Sequence, residues 1–136
     1  MSAYPRASNL AAYQNAATHG GIAAANPHGL IMMLLEGALE RVAGARGRMV
    51  NGLVGEKAEL ITKTLAIVDE LRGSLDLARG GEIAANLDAL YAYISQRLIK
   101  ANVENRPEIL DEVSSLLKEI HSAWIVLPVE VRRAGV

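Results

Sequence analysis

The sequence predicts an all-α fold: an antiparallel four-helix bundle carrying a short N-terminal capping helix. Three observations lead there. Apolar residues recur at three- and four-residue steps through four long segments, the spacing that lines one face of an α-helix. Gly, Pro or Asn stands at each junction between those segments, where such residues interrupt helices. No alternation of apolar and polar residues runs long enough to build a β-strand. Helices joined by short links lie antiparallel to their sequence neighbours.

The first long helix starts at Asn26-Pro27, a good N-cap followed by the residue that suits the first helical position. Ile31, Leu34, Ala38, Val42, Ala45 and Met49 share its inner face, and Asn51-Gly52 ends it. The second runs from about Gly55 to Leu77, with Leu60, Ile61, Leu65, Val68, Leu71 and Leu75 inward, and Gly80-Gly81 breaks it. The third begins near Glu82, carries a stripe of Ile83, Leu87, Leu90, Tyr91, Ile94, Leu98 and Ala101, and stops between Asn102 and Asn105. Pro107 opens the fourth, where Ile109, Leu110, Val113, Leu116, Leu117, Ile120 and Trp124 face in; Pro128 closes it. The bundle therefore spans residues 26–128. Residues 1–25 are rich in Ala, Asn and Gly and thin in strong apolar side chains. Residues 9–17 can make the capping helix, with Leu10 and Tyr13 on it, and Gly20-Gly21 is a flexible joint. This stretch reads as a mobile N-terminal segment, and residues 129–136 as a loose C-terminal tail.

At 136 residues the chain has the size of one domain with a self-sufficient core. A hydrophobic fraction of 51% with 21% charged residues is globular rather than disordered. The absence of Cys excludes a disulfide scaffold, a thiolate zinc site, a Cys nucleophile and an iron–sulfur cluster, and fits a reducing compartment. A net charge of −1 supplies no basic field for nucleic acid. Arg41, Arg46 and Arg48 make a small basic patch, but Glu36, Glu40 and the acidic fourth helix balance it, so it reads as a solvated face. The apolar runs are too short for membrane insertion, and MSAYPRASNL lacks the pattern of a signal peptide. A cytoplasmic protein is expected.

The search for chemistry yields no catalytic constellation. His19, His28 and His121 lie in separate segments, and the residue three before His121 is Lys118, so the Glu-x-x-His pairs of a metal-binding bundle are missing. Gly80-Gly81-Glu82 lacks the Lys-Ser/Thr of a phosphate-binding loop and reads as a turn between helices. Ser74 and Asp76 form no nucleophile arrangement with any His. Neither an enzyme, a metal nor a cofactor is expected.

Surplus apolar surface is what remains. Met32, Leu35, Leu39 and Val50 lie about 60–120° round the first long helix from its inner face, at 100° per residue. Ile99 and Val103 stand off the third stripe, and Ile125 and Val126 off the fourth. These residues widen the core edges, or pack beneath residues 1–25, or form a groove for a partner helix, which Met would line adaptably. Tyr91 and Tyr93 straddle the inner face of the third helix. Rings so placed suit either a core edge or a partner surface. Trp124 reads as core.

Several strings carry a resemblance. They are NPHGLIMMLLEGAL (26–39), GGEIAANLDALYAYISQRLIKAN (80–102), EVSSLLKEIHSAW (112–124), and Tyr13-Gln14 ahead of Pro27. Together, over roughly residues 8–126, they closely resemble the flagellar secretion chaperone FliS family. Asn26 stands where the family commonly has Ser, and Leu35 where it often has Tyr or Phe; Ile-Val-Leu-Pro after Trp124 is more apolar than the family's usual run. The resemblance implies a non-enzymatic cytoplasmic chaperone that binds the disordered C-terminal segment of flagellin. Such a chaperone blocks premature polymerisation and helps delivery to the cytoplasmic domain of the flagellar type III export gate. Tyr13 matches the family's N-terminal Tyr, in a segment associated with client access. Tyr91, Tyr93, Arg97 and Asn102 belong to the family string, although Asn102 at a helix end can equally cap carbonyls. Met32, Leu35 and Leu39 are groove candidates from periodicity. Leu10, Tyr13 and Ile22 are the few anchors with which residues 1–25 could cover that groove until a client displaces them. Another amphipathic helix, such as an anti-sigma factor, is the alternative partner, and exposed grooves also allow a weak homodimer.

Overall fold

Pro27 lacks the N–H that a first-turn residue has no use for, and the chain becomes helical there. The computed structural model describes residues 27–127. The expectations for Leu10, Tyr13 and Ile22, for the capping helix and Asn26, and for Pro128 and the tail lie outside those residues. Four helices follow in order: α1 (Pro27–Val50), α2 (Val54–Gly73), α3 (Gly81–Glu104) and α4 (Pro107–Ile125). There is no strand among the described residues.

α1 packs on α2 and α4, and α3 packs on the same two helices, so the four close a ring. Partners across the seams give the directions. His28 at the start of α1 meets Trp124 at the end of α4, while Arg46 near the end of α1 bonds Asp111 near the start of α4 at 2.6 Å. Between α2 and α3, Arg72 pairs with Asp88 at 2.6 Å, and Lys57 at the opposite end reaches Asn102 and Asn105. Neighbours are antiparallel, as the short links require.

The turns follow local chemistry. Gly52 adopts φ +74 in the α1–α2 turn, a left-handed conformation that costs glycine nothing. Asn51 Nδ2 donates to the Gly47 carbonyl at 2.8 Å and closes α1. Gly81, at φ +58, makes the entry to α3 possible for the same reason. α3 ends on Asn105, the one non-glycine residue with positive φ among those described.

The second helix corrects the expectation that it reaches Leu77. It stops at Gly73, because Ser74 Oγ donates to the Leu71 carbonyl at 2.7 Å and Asp76 Oδ1 accepts the Arg79 N–H at 3.0 Å. These short polar side chains offer the backbone a turn in place of another helical step. Since Arg72 lies opposite Asp88, the residues of α3 before Asp88 extend beyond the end of α2.

Leu34, Ala38, Val42, Ala45 and Met49 of α1 meet Ile61, Val68 and Leu71 of α2, Tyr91, Ile94 and Leu98 of α3, and Leu110, Val113 and Leu117 of α4 in one core. Two buried polar residues join it. Thr64 Oγ1 returns its hydrogen to the Leu60 carbonyl at 2.8 Å. Lys57, only 3% exposed, donates Nζ to the Asn102 carbonyl at 3.0 Å and to Asn105 Oδ1 at 3.2 Å. The ammonium sits at the C-terminal end of α3, where unpaired carbonyls and the helix dipole favour positive charge.

Candidate functional site

The core accounts for the inner stripes of four helices and leaves apolar side chains over. Some of them line a groove of about 240 Å³ between the first half of α3 and the last turns of α4. Ile83, Leu87 and Leu90 form one wall; Ile120, Ala123, Trp124 and Leu127 form the other, and Glu119 stands among them. It exists because α2 ends early: the first turns of α3 carry core-like residues with no helix of α2 to cover them. Ile83 is accordingly 43% exposed, which corrects its assignment to the core. Leu87 and Leu90, also read as inward, are half-buried groove walls.

The surplus residues divide. Ile99 (53%), Val103 (78%), Val50 (59%), Ile125 (54%) and Val126 (77%) are exposed. Leu35 is fully buried. It lies on the flank of α1 that also carries His28 and Arg46, both bonded to α4, so α4 covers it. In this arrangement it belongs to the core and not to a groove. Met32 and Leu39, further round that flank, are half-buried against the core and rim the α1–α4 seam. Tyr91 is a core residue at 3% exposure, and its burial pushes the hydroxyl pKa well up. It offers a partner no surface here.

Tyr93 is exposed, and its hydroxyl donates to Glu112 Oε2; Arg97 Nε donates to Glu112 Oε1 at 2.7 Å, with its guanidinium 6.0 Å from the Tyr93 ring centroid. The two bonds hold the Glu112 carboxyl below its usual range. Tyr93 and Arg97 thus form one polar cluster across the α3–α4 seam. Asn102 sits inside the last turn of α3, and its carbonyl takes the Lys57 hydrogen. The capping position is Asn105, which the sequence named only as the far bound of the helix end, and not Asn102. Met32 and Leu39, on the other side of α4, are not brought together with Tyr93, Arg97 or Asn102.

The basic trio is engaged within the fold. Arg46 pairs with Asp111, Arg48 with Glu56 at 3.4 Å, and Arg41 donates to the Gly37 carbonyl at 3.1 Å. Among the described residues no three His, Asp or Glu gather as a metal site, and no helix is long and apolar enough to cross a membrane.

A bundle with a filled core, an open apolar groove and further exposed apolar side chains has the kind of surface that docking proteins present. Residues 8–129 match the family described as flagellar protein FliS. The chain is 48% identical over 112 residues to the flagellar secretion chaperone FliSB of Pseudomonas aeruginosa, covering 82% of this chain and 89% of that protein. It is 38% identical over 122 residues to the flagellar secretion chaperone FliS of Vibrio cholerae, 90% of each chain. With the same-named protein of Salmonella typhimurium it shares 40% identity over 119 residues, 87% of this chain and 88% of the relative. The chain belongs to the FliS family of flagellar secretion chaperones.

Proposed function

We propose that this protein is a cytoplasmic export chaperone for flagellin. It binds the disordered C-terminal segment of its client, keeps that segment from polymerising, and presents the complex to the cytoplasmic domain of the export gate. The observation that carries this reading is the α3–α4 groove in a chain of this family. An amphipathic segment laid along such walls buries its apolar face in place of finding another copy of itself. Each large apolar side chain so buried contributes about 1.5–3 kcal/mol, and ordering a disordered client offsets part of that. Affinity is thereby moderated, which permits release at the gate. Ile83, Leu87 and Leu90 of the groove wall join Met32, Leu39, Tyr93, Arg97 and Asn102, with Leu10, Tyr13 and Ile22, as the residues proposed for client contact. No step of this function makes or breaks a covalent bond.

Co-purification tests it. Full-length flagellin should be retained, and flagellin lacking its C-terminal segment should not. Equal retention of both would sink the mechanism. Retention of an anti-sigma factor in preference to flagellin would assign the groove to that partner.

A further inference from the structure

The side of α3 that faces away from the core is also exposed. Arg72 of α2 holds one flank of this face through Asp88, and Glu112 of α4 holds the other through Tyr93 and Arg97. Between the flanks Ala85, Ala89, Ala92, Gln96, Ile99 and Val103 follow one another at alternating four- and three-residue steps, the a/d repeat of a coiled coil. At 100° per residue their stripe is centred about 150° round from the buried Ala84, Tyr91, Ile94, Leu98 and Ala101. Ile99 and Val103 are large apolar side chains left exposed, Ala85, Ala89 and Gln96 are exposed beside them, and Ala92 is half-buried. We propose that this stripe is the interface of a two-fold dimer, in which α3 of one copy lies antiparallel on α3 of a second.

The order of sizes along the stripe selects a second copy as the occupant. Alanines fill its first half and larger side chains its second. A two-fold axis between Ala92 and Gln96 turns that order onto itself: Ala85 meets Val103, Ala89 meets Ile99, and Ala92 meets Gln96, each pair occurring twice. Every large side chain then has a small one opposite, which keeps the two axes an even 8–10 Å or so apart along a seam of about 27 Å. Parallel helices would crowd Ile99 and Val103 at one end and leave a gap between alanines at the other. A foreign helix would need a matching gradient of its own, whereas this chain already carries it. Charge agrees. Across the antiparallel seam Lys100 flanks Asn86, Asp88 flanks Asn102 and Tyr93 flanks its own copy, so no like charges oppose. The same register brings Glu82 level with Arg106 at each end. Gln96, polar at the centre, fixes the register at some cost in stability. One helix pair falls short of the roughly 1,200–2,000 Å² of a stable interface, so the dimer is weak and the monomer prevails on dilution.

Sedimentation equilibrium of the full chain, from micromolar to near-millimolar concentration, should show monomer passing into dimer. Ile99→Glu and Ala89→Glu, both at exposed positions, should keep the helical circular dichroism and weaken association at least tenfold. Ala89→Glu combined with Ile99→Lys in one chain should recover it, because the antiparallel register sets the new charges opposite one another and a parallel register would set each against its like. The chain contains no Cys, so introduced thiols report without interference. Protein with Ala89→Cys mixed with protein with Ile99→Cys should form a mixed disulfide under mild oxidation, whereas either alone stays reduced, since its own copy lies beyond the 7 Å or so that a disulfide spans. A monomer at every concentration would overturn the proposal, as would Ile99→Cys linking to itself as readily as to Ala89→Cys, or failure of the charge pair to restore association. A dimer lost with Ile83→Asp but kept with Ile99→Glu would overturn it too, and would move the contact to the α3–α4 groove. None of these measurements involves flagellin, so this inference and the flagellin reading can fail separately.

Discussion

His28 and Trp124 hold each other at two points. The indole Nε1–H donates to the His28 carbonyl at 3.1 Å, and His28 Nε2 lies 2.7 Å from the Trp124 carbonyl. A carbonyl can only accept, so Nε2 carries the hydrogen. The rings stack with centroids 5.2 Å apart and planes at 13°. This clasp joins the first turn of α1 to the last turn of α4.

Trp124→Ala should therefore lower the unfolding free energy by about 3–5 kcal/mol, the usual loss for a buried aromatic. His28→Ala keeps its backbone carbonyl and removes one hydrogen bond and a stacked ring, so the loss should be smaller, about 1–2 kcal/mol. Urea denaturation followed by circular dichroism measures both. Equal losses would show that the reciprocal bonds, and not the burial of the indole, dominate.

Lys57 ties α2 to the cap of α3. Lys57→Met keeps the apolar stem and leaves the Asn102 carbonyl and the Asn105 amide oxygen without their donor. A loss of about 2 kcal/mol is expected, as for hydrogen bonds from a charged group. Both Asn105→Gly and Asn105→Val remove an acceptor from Lys57, but Asn105→Val should cost more, because φ 55 excludes a β-branched side chain and suits glycine. Thermal melts of the three variants check this ranking.

Acid should destabilise the fold by a defined route. Asp88 is held below its usual range by its hydrogen bond from Arg72, Glu112 by Tyr93 and then Arg97, and Glu108 by its own backbone N–H and then Arg106. In each the folded-state pKa lies below the unfolded one. The contribution is full above the ordinary carboxylate range, near pH 4, and is lost as pH falls through the lower folded value. At the alkaline end, buried Tyr91 keeps its proton in the folded state, so stability falls once pH exceeds about 10 and the unfolded chain ionises. Glu112→Gln should flatten the acid limb of a pH–melting curve, and Tyr91→Phe the alkaline limb.

Binding and stability should separate by position. Ile83→Asp and Ile99→Asp alter exposed apolar residues, so melting should change little. Ile83→Asp should weaken flagellin binding at least tenfold by placing a charge on a surface that would otherwise be buried. Leu35→Ala should instead cost about 2–5 kcal/mol of stability. Raising salt moderately should change affinity little, since burial rather than exposed charge supplies it. Titrations of folded variants at two ionic strengths decide the matter, and a steep loss with salt would point to the charged faces.

Helix number, order and most inner positions were legible because periodicity and Pro/Gly punctuation are local properties. Leu34, Val42, Val68, Leu98 and Leu117 needed nothing else. The groove was not legible, because it depends on where α2 stops. That end rests on Ser74 and Asp76 side chains competing with the next helical turn, a contest invisible to apolar spacing. Reading α2 through to Leu77 put a cover over Ile83 that does not exist. Leu35 failed for the converse reason: α1 is flanked by two helices, and its buried arc is wider than a single stripe. Lys57 was passed over because a lone lysine on a helix carries no sign of the cap waiting for it. A lysine in phase with Ile61, Thr64 and Val68 was the available clue.

Trp124, the sole tryptophan, stacks on His28 and also lines the groove. One side chain thus reports to two seams. Anything that settles in the groove and shifts the indole is thermodynamically linked to the grip on α1, and whatever loosens that grip alters the groove by the same coupling free energy. The first turn of α1 is where residues 1–26 join the bundle. If the groove takes the client proposed above, its arrival reaches that junction through the indole, a change that intrinsic fluorescence can follow without a label.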